Sequence, residues 1–248
     1  MRITSFHSGA LALTALVGLT ACATTNQSAG LRQVDDLVGH VELTHLEAEL
    51  TRQQVYDTLG KLHVLLSPGE RTDPLVAYEA FAVSVETCGE RSEAFRMQRE
   101  PMDSAAKTVF GRWESSLEEF QGEAMRTRSE ARMNAARERY QAVRDSAVQA
   151  QEEFDAFHAG MQDIALFLGH DFNPSSTKEI EGDARTLAGH AKELRETLHT
   201  CMQFAEVYIR EAAPLGHIEV ISVEDKAPSS QTKTPNSRSP KPRTVPRN

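Results

Sequence analysis

Nine histidines and three cysteines are the side chains of this 248-residue sequence with the widest range of chemistry open to them. A metal site needs several such donors on one face, which on a helix means spacings of three or four. His40 and His45 are five apart, about 140° around a helix, and His190 and His199 are nine apart on opposite sides. Neither pair chelates locally. His45, Arg52 and Arg99 fall on positions where an apolar repeat expects core residues, so each is either a satisfied or register-setting polar residue or the wall of a polar pocket between helices. His170-Asp171, just before Asn173-Pro174, reads as an acid/base pair or as a helix C-cap histidine that meets the last carbonyls. No G-x-S-x-G, P-loop, dinucleotide fingerprint or H-E-x-x-H is present. The expectation is therefore no catalytic, cofactor-binding or metal-ligating residue. Cys88 and Cys201 sit on apolar seams, where burial alone explains them. If the turns at 122–127 and 169–176 align the helices, the two lie about 20 and about 38 Å from the same end. A disulfide needs Cα atoms within about 7 Å, which weighs against a bridge.

The third cysteine belongs to an address. After Arg2, residues 9–21 form an uncharged apolar run, too short to span a bilayer at roughly 20 residues and shaped like a secretory signal. Leu19-Thr20-Ala21-Cys22 resembles the lipobox of bacterial lipoproteins. That resemblance implies cleavage before Cys22 and lipidation of its thiol, with a further acyl chain on its amine giving the multiple chains that stable anchoring requires. Ala23, where Asp would favour inner-membrane retention, points to the outer membrane, with the protein on its periplasmic face.

Charge is distributed unevenly. Residues 23–225 hold 20 basic and 36 acidic side chains, a net −16, and six Lys/Arg with no acid follow from Lys226 onward. An acidic body argues against nucleic acid as a partner. The tail, with five prolines and no aromatic residue, reads as disordered. It suits anionic headgroups or cell-wall polymer, a return onto the acidic body, or a solubilising end.

The elements between follow from one repeat. From Met133 through Ala136, Tyr140, Val143, Ala147, Ala150, Phe154, Phe157, Met161 and Ile164 to Leu168, apolar residues recur in alternating steps of three and four. Ile180, Ala184, Leu187, Ala191, Leu194, Leu198, Cys201, Ala205 and Tyr208 repeat the pattern. A weaker seam runs from Tyr78 to Phe120 through Arg99, and another from Leu31 to Leu66 through His45 and Arg52. Leu43, Leu46 and Leu50 add an apolar shoulder to the latter. Asp73-Pro74 is an N-cap followed by a first-turn proline. Thr127 to Glu130 and Ser176 to Glu179 fit the capping box. A one-residue phase slip near Gly122 predicts a turn, whereas unbroken phase through Pro101 predicts only a kink. The fold class expected is all-α: an elongated antiparallel up-down bundle of about four long heptad-patterned, coiled-coil-like helices. Its parts are a signal peptide at 1–21, a lipidated tether at 22–30, the bundle at 31–213 and the basic tail at 214–248. Residues 217–223 read as a strand or a loose segment.

Phe110-Gly111-Arg112-Trp113, Arg137-Glu138-Arg139-Tyr140 and Leu166-Phe167-Leu168-Gly169-His170-Asp171-Phe172-Asn173, in this order behind a lipoprotein signal, resemble a bacterial family of envelope lipoproteins catalogued as domain of unknown function 2959. The resemblance covers roughly residues 75–210; Pro101 and the basic tail depart from it. It carries no activity over. Together these features predict a non-enzymatic, lipid-anchored periplasmic scaffold, spacer or partner-binding module, with the membrane as one partner and an envelope protein or the cell wall as another. The alternative is an enzyme or metal-binding protein whose polar pocket is built from His45, Arg52 and Arg99.

Overall fold

The computed structural model describes residues 21–67 and 73–217, with side chains from Ser28 onward. The signal peptide, Pro68-Gly69, the strand-or-loose stretch beyond His217 and the basic tail lie outside the described residues. Helix α1 spans Ala21–Leu66, α2 Pro74–Met97, α3 Arg99–Ser116, α4 Glu123–His170, α5 Pro174–Glu179 and α6 Glu181–Ala212. All described regular structure is helical, as the repeat predicts. At about 1.5 Å per residue, the 46 residues of α1 and the 48 of α4 each extend roughly 70 Å.

Cross-helix pairs set the topology. Thr58 meets Ser84, Ser92 meets Asp155, Cys201 meets Val143 and His45 meets Glu206. In each case residue numbers rise on one helix as they fall on its partner. The bundle is therefore antiparallel, in the cyclic order α1, α2–α3, α4, α6, with α6 closing back on α1. Four passes return the chain to its starting end, so the beginning of α1, the turn before α4 and the end of α6 lie together.

Local chemistry explains most boundaries. Asp73 accepts hydrogen bonds from the backbone N–H groups of Leu75 (2.9 Å) and Val76 (3.4 Å), with Pro74 in the first turn. The chain breaks between α2 and α3 at Gln98, where its N–H bonds Phe95 O rather than continuing the α pattern. Pro101 then occupies the first turn of α3, where its missing N–H has no partner to lose. This is the expected kink. A 3-10 turn at Leu117–Glu119, extended Phe120 and N-capping Gly122 make the expected turn before α4.

Four expectations are corrected. The tether at 23–30 is helical, because α1 reaches back to Ala21. Thr127 is inside α4, whose N-cap is Gly122, so it heads no capping box. The second box is capped by Asn173, which accepts from Ser175 and Ser176 N–H; Ser176 answers as its third residue, a phase three residues earlier than expected. Arg99 and Phe120, placed on a core seam, are exposed.

The seams of α4 and α6 are buried at every position except half-buried Ala184. That of α1 is rotated. Val38, Val41, Ala48, Val55 and Leu62 are core as expected, but the rest of the second row is replaced by Leu37, Thr44, Thr51, Thr58 and Leu65, all at most 2 % exposed. His45 and Arg52 move to its flank. The Leu43, Leu46 and Leu50 shoulder is half-buried.

Candidate functional site

The three polar residues that a pocket would need do not converge. His45 Nε2 faces Glu206 Oε1 at 3.3 Å, and Arg52 makes two bonds (2.8 and 2.9 Å) to Glu49 on its own helix. The gap beside Arg99, lined with Thr44, Phe95, Met102 and Gln151, holds only about 10 Å3. That is room for one water at most. His170 ends α4, exposed, while Asp171 accepts from Asn173 Nδ2 in the following turn. Among the described residues no group of three or more His, Cys, Asp or Glu is placed to hold a metal ion. No described helix is long and apolar enough to cross a membrane.

The cysteines are unbridged and buried. Burial pushes the Cys88 thiol up to about 12, against a hydrogen bond with Thr58, and the Cys201 thiol up to about 11, against one with Ser146. Both are protonated near neutral pH, which removes the thiolate that nucleophilic chemistry uses. The side chain of Cys22 is outside the described set. His158, over which Gly89 makes room, contributes Nε2 to the Val85 carbonyl at 3.1 Å and is a satisfied packing residue.

Three arrangements were not foreseen. The first is a clamp at the end of the bundle where α1 begins and α6 ends. After α6 the segment Ala213–His217 crosses back to α1, and His217 inserts a side chain 8 % exposed between Asp35 Oδ1 (2.6 Å) and Glu42 Oε1 (2.8 Å). Hydrogen bonds to Glu42, then Asp35, raise its pKa above the usual imidazole value. The sequence held a partial signal, since two acids seven apart share a helix face.

The second is the threonine row of α1. Thr58 Oγ1 pairs with Ser84 Oγ at 3.0 Å, and Ser84 donates to Asp57 at 3.0 Å. Thr44 donates to the His40 carbonyl at 3.0 Å, whereas Thr51 Oγ1 is buried without a partner. Its strict heptad spacing was legible; its burial was not, because threonine fits the solvent face equally well.

The third is the outward groove between α4 and α6. It opens twice, to about 700 Å3 near Gly160, Ile164, Phe167 and Leu187 and to about 670 Å3 near Ala142 and Phe204. Asp163, Glu179 and Asp183 line the first opening, and Asp145, Glu153, Glu193 and Glu196 the second. No Lys or Arg lines either. The open volumes, apolar floor and single-sign rim suit an extended cationic segment better than an enclosed small molecule.

The segments quoted for the family resemblance also find places. Phe110 and Tyr140 rings lie 5.9 Å apart, Arg137 sits over Phe110 at 5.5 Å, and Trp113 Nε1 donates to Ser129 at 2.9 Å. They join α3 to α4 beside the chain ends. Residues 166–173 form the opposite turn, where Phe172 packs 5.8 Å from Tyr78 and Asn173 caps α5. No match was found among curated proteins. A family model described as "protein of unknown function (DUF2959)" matches residues 23–212, from the first turn of α1 to the last of α6, and the chain belongs to that family.

Proposed function

We propose that this chain is a non-enzymatic protein, lipid-anchored at Cys22 on the periplasmic face of the outer membrane, whose bundle serves as a scaffold, spacer or partner-binding module. The observation that carries the reading is the lipobox-like Leu19-Thr20-Ala21-Cys22 directly at the start of a helix about 70 Å long. Acyl chains on Cys22 fix one end of the bundle at the membrane surface, and α1 passes from the anchor into the core without a flexible joint. The rod's opposite end then points away from the bilayer. Leu75, Val76 and Leu166 are there, each at least 60 % exposed, beside the turn of residues 166–173. That is apolar surface for an envelope protein or cell-wall partner.

Metabolic labelling with a clickable fatty acid tests the anchor. The wild type is expected to carry the label and sediment with membranes, whereas Cys22→Ser loses both. Equal labelling of the two removes the lipoprotein reading.

A further inference from the structure

Ion pairs tie α1 to α2 and α2–α3 to α4, and a hydrogen-bond contact ties α1 to α6. Arg91 of α2 reaches Glu47 of α1 at 3.6 Å; Arg96, Arg137 and Arg144 link α2 or α3 with α4 at 3.0 to 3.3 Å; His45 of α1 meets Glu206 of α6. Between α4 and α6 there is no such pair among the described residues, although seven carboxylates line their groove. Lys192 reaches Glu196 at 3.8 Å and Arg144 reaches Asp145 at 3.3 Å, each within its own helix. Asp163, Glu179, Asp183 and Glu193 have no cationic partner among the described residues, and Glu153 Oε2 is shielded from solvent without a hydrogen bond. The two openings lie on one face, since Ser146, Glu153, Gly160 and Phe167 follow one another at sevens along α4. This is a channel lined by more acids than their neighbouring cations pair with, and apolar side chains, Phe167 and Phe204, are 39 % and 40 % exposed along it.

We infer that this α4/α6 groove is the docking face for the chain's own basic C-terminal segment, residues 226–248. The segment carries six Lys/Arg and no acid, the complement of the groove lining. Its point of departure is fixed by His217, held against α1 beside the end of α6. Lys226 is nine residues further on, a reach of about 30 Å when extended. Glu196 lies sixteen residues back along α6 from Ala212, about 24 Å. Asp183 lies twenty-nine residues back, about 44 Å, and Lys233 reaches about 53 Å. The charges therefore meet without strain along the whole groove. Being tethered, the segment meets the groove at an effective concentration on the order of millimolar, which favours a weak electrostatic contact over competing surfaces. Docking there neutralises groove acids that no cross-helix ion pair reaches among the described residues and covers the partly exposed rings. The inference does not depend on Cys22 or on the anchoring reading.

Zero-length carbodiimide coupling on the full mature chain tests it, because an amide forms only where a lysine amine touches a carboxylate. At low salt Lys226, Lys233 and Lys241 are expected to couple to groove carboxylates several-fold more than to Glu118, Glu119 or Asp36, which lie nearer the exit. High salt is expected to suppress that yield several-fold. Coupling that favours the nearer acids, or none, overturns the inference. The variant Asp163→Asn/Asp183→Asn/Glu193→Gln/Glu196→Gln changes only exposed side chains and leaves the core intact. It is expected to raise tryptic cleavage after Lys226 and Lys233 several-fold and to strengthen binding to phosphatidylglycerol vesicles. Unchanged cleavage, or equal vesicle binding by the wild type, means that the segment is not held by the groove but belongs to an anionic surface elsewhere.

Discussion

In the half of the bundle remote from the chain ends, Ala147, Ala150, Ala191, Cys88 and Cys201 alternate with Phe81, Phe95, Phe154 and Phe157. In the half beside the ends, Phe110, Tyr140 and Tyr208 form a chain of rings 5.9 and 6.2 Å apart, and Tyr140 gives its hydroxyl to Asp103. The same heptad thus supports two solutions. Small residues let helices close in: a Cβ on Gly160 would meet Leu187 Cδ2 at 2.5 Å. In the near half the rings of Tyr140 and Tyr208 fill the seam instead, and Tyr140 uses its polar tip to tie the core to surface charge. Burial, with Asp103 adding to it at Tyr140, pushes the phenols of Tyr140 and Tyr208 well up, so both remain protonated and Tyr140 keeps its proton for Asp103. The remote half combines close-packed small residues with buried hydroxyl bonds such as Thr58–Ser84 and Ser92–Asp155, and the near half fills the same seam with rings and ties Tyr140 to Asp103.

The most drastic way to compare the halves is one charge in each. Val143→Asp beside the termini and Leu194→Asp in the remote half both bury an unpaired carboxylate at a fully buried position. Each is expected to cost several kcal/mol, roughly 3–5, read as a lowered urea midpoint. If either variant melts like the wild type, that half has no core. Gly160→Val follows, with an expected loss of about 1–3 kcal/mol from overpacking against Leu187. Combining it with Leu187→Ala restores part of the loss; additive losses instead would show that the helices are not in close contact there.

The clamp makes the near half sensitive to pH. Its carboxylates raise the folded-state pKa of His217, so its stabilisation is complete below the unfolded imidazole value of about 6.5 and fades as pH rises through the raised value. His217→Gln is expected to lose about 1–2 kcal/mol at about pH 5.5 and less at about pH 9. A melting difference equal at both pH values breaks the assignment. The smallest effects are in the threonine row. Thr58→Val removes the bond to Ser84, which keeps Asp57, and is expected to cost about 1 kcal/mol, whereas Thr51→Val removes a buried hydroxyl without a partner and is expected to be neutral or to gain up to about 1 kcal/mol. Two substitutions one heptad apart thus differ in sign, and matching losses would mean that Thr51 has a bond of its own.

The helices of α4 and α6 were legible residue by residue, because their seams are apolar without interruption and only one helix face can bury them. The kink before Pro101 and the turn at Gly122 followed from phase. Beyond Val38, which is core as expected, the second row of the α1 seam was misplaced by one residue, because Leu59 and Leu66 outvoted threonines that fit the solvent face equally well. Of the candidate site, the sequence supplied every charge but not its pairing. His45, Arg52 and Arg99 look like one pocket on a heptad wheel, yet they lie on separate flanks or outside it.

What the sequence determined by itself is therefore the helical class, the lengths, the breaks and most of the buried faces, since periodicity, proline and capping chemistry act within a few residues of their cause. The tertiary structure alone decided which carboxylates are neutralised. His217 meets Asp35 across 182 positions of chain, and Asp155 and Asp103 are paired between α2–α3 and α4, while among the described residues no ion pair joins α4 to α6. Such pairing depends on rotation of each helix about its axis and on which neighbour it faces. Those quantities are fixed only when all four seams are buried together.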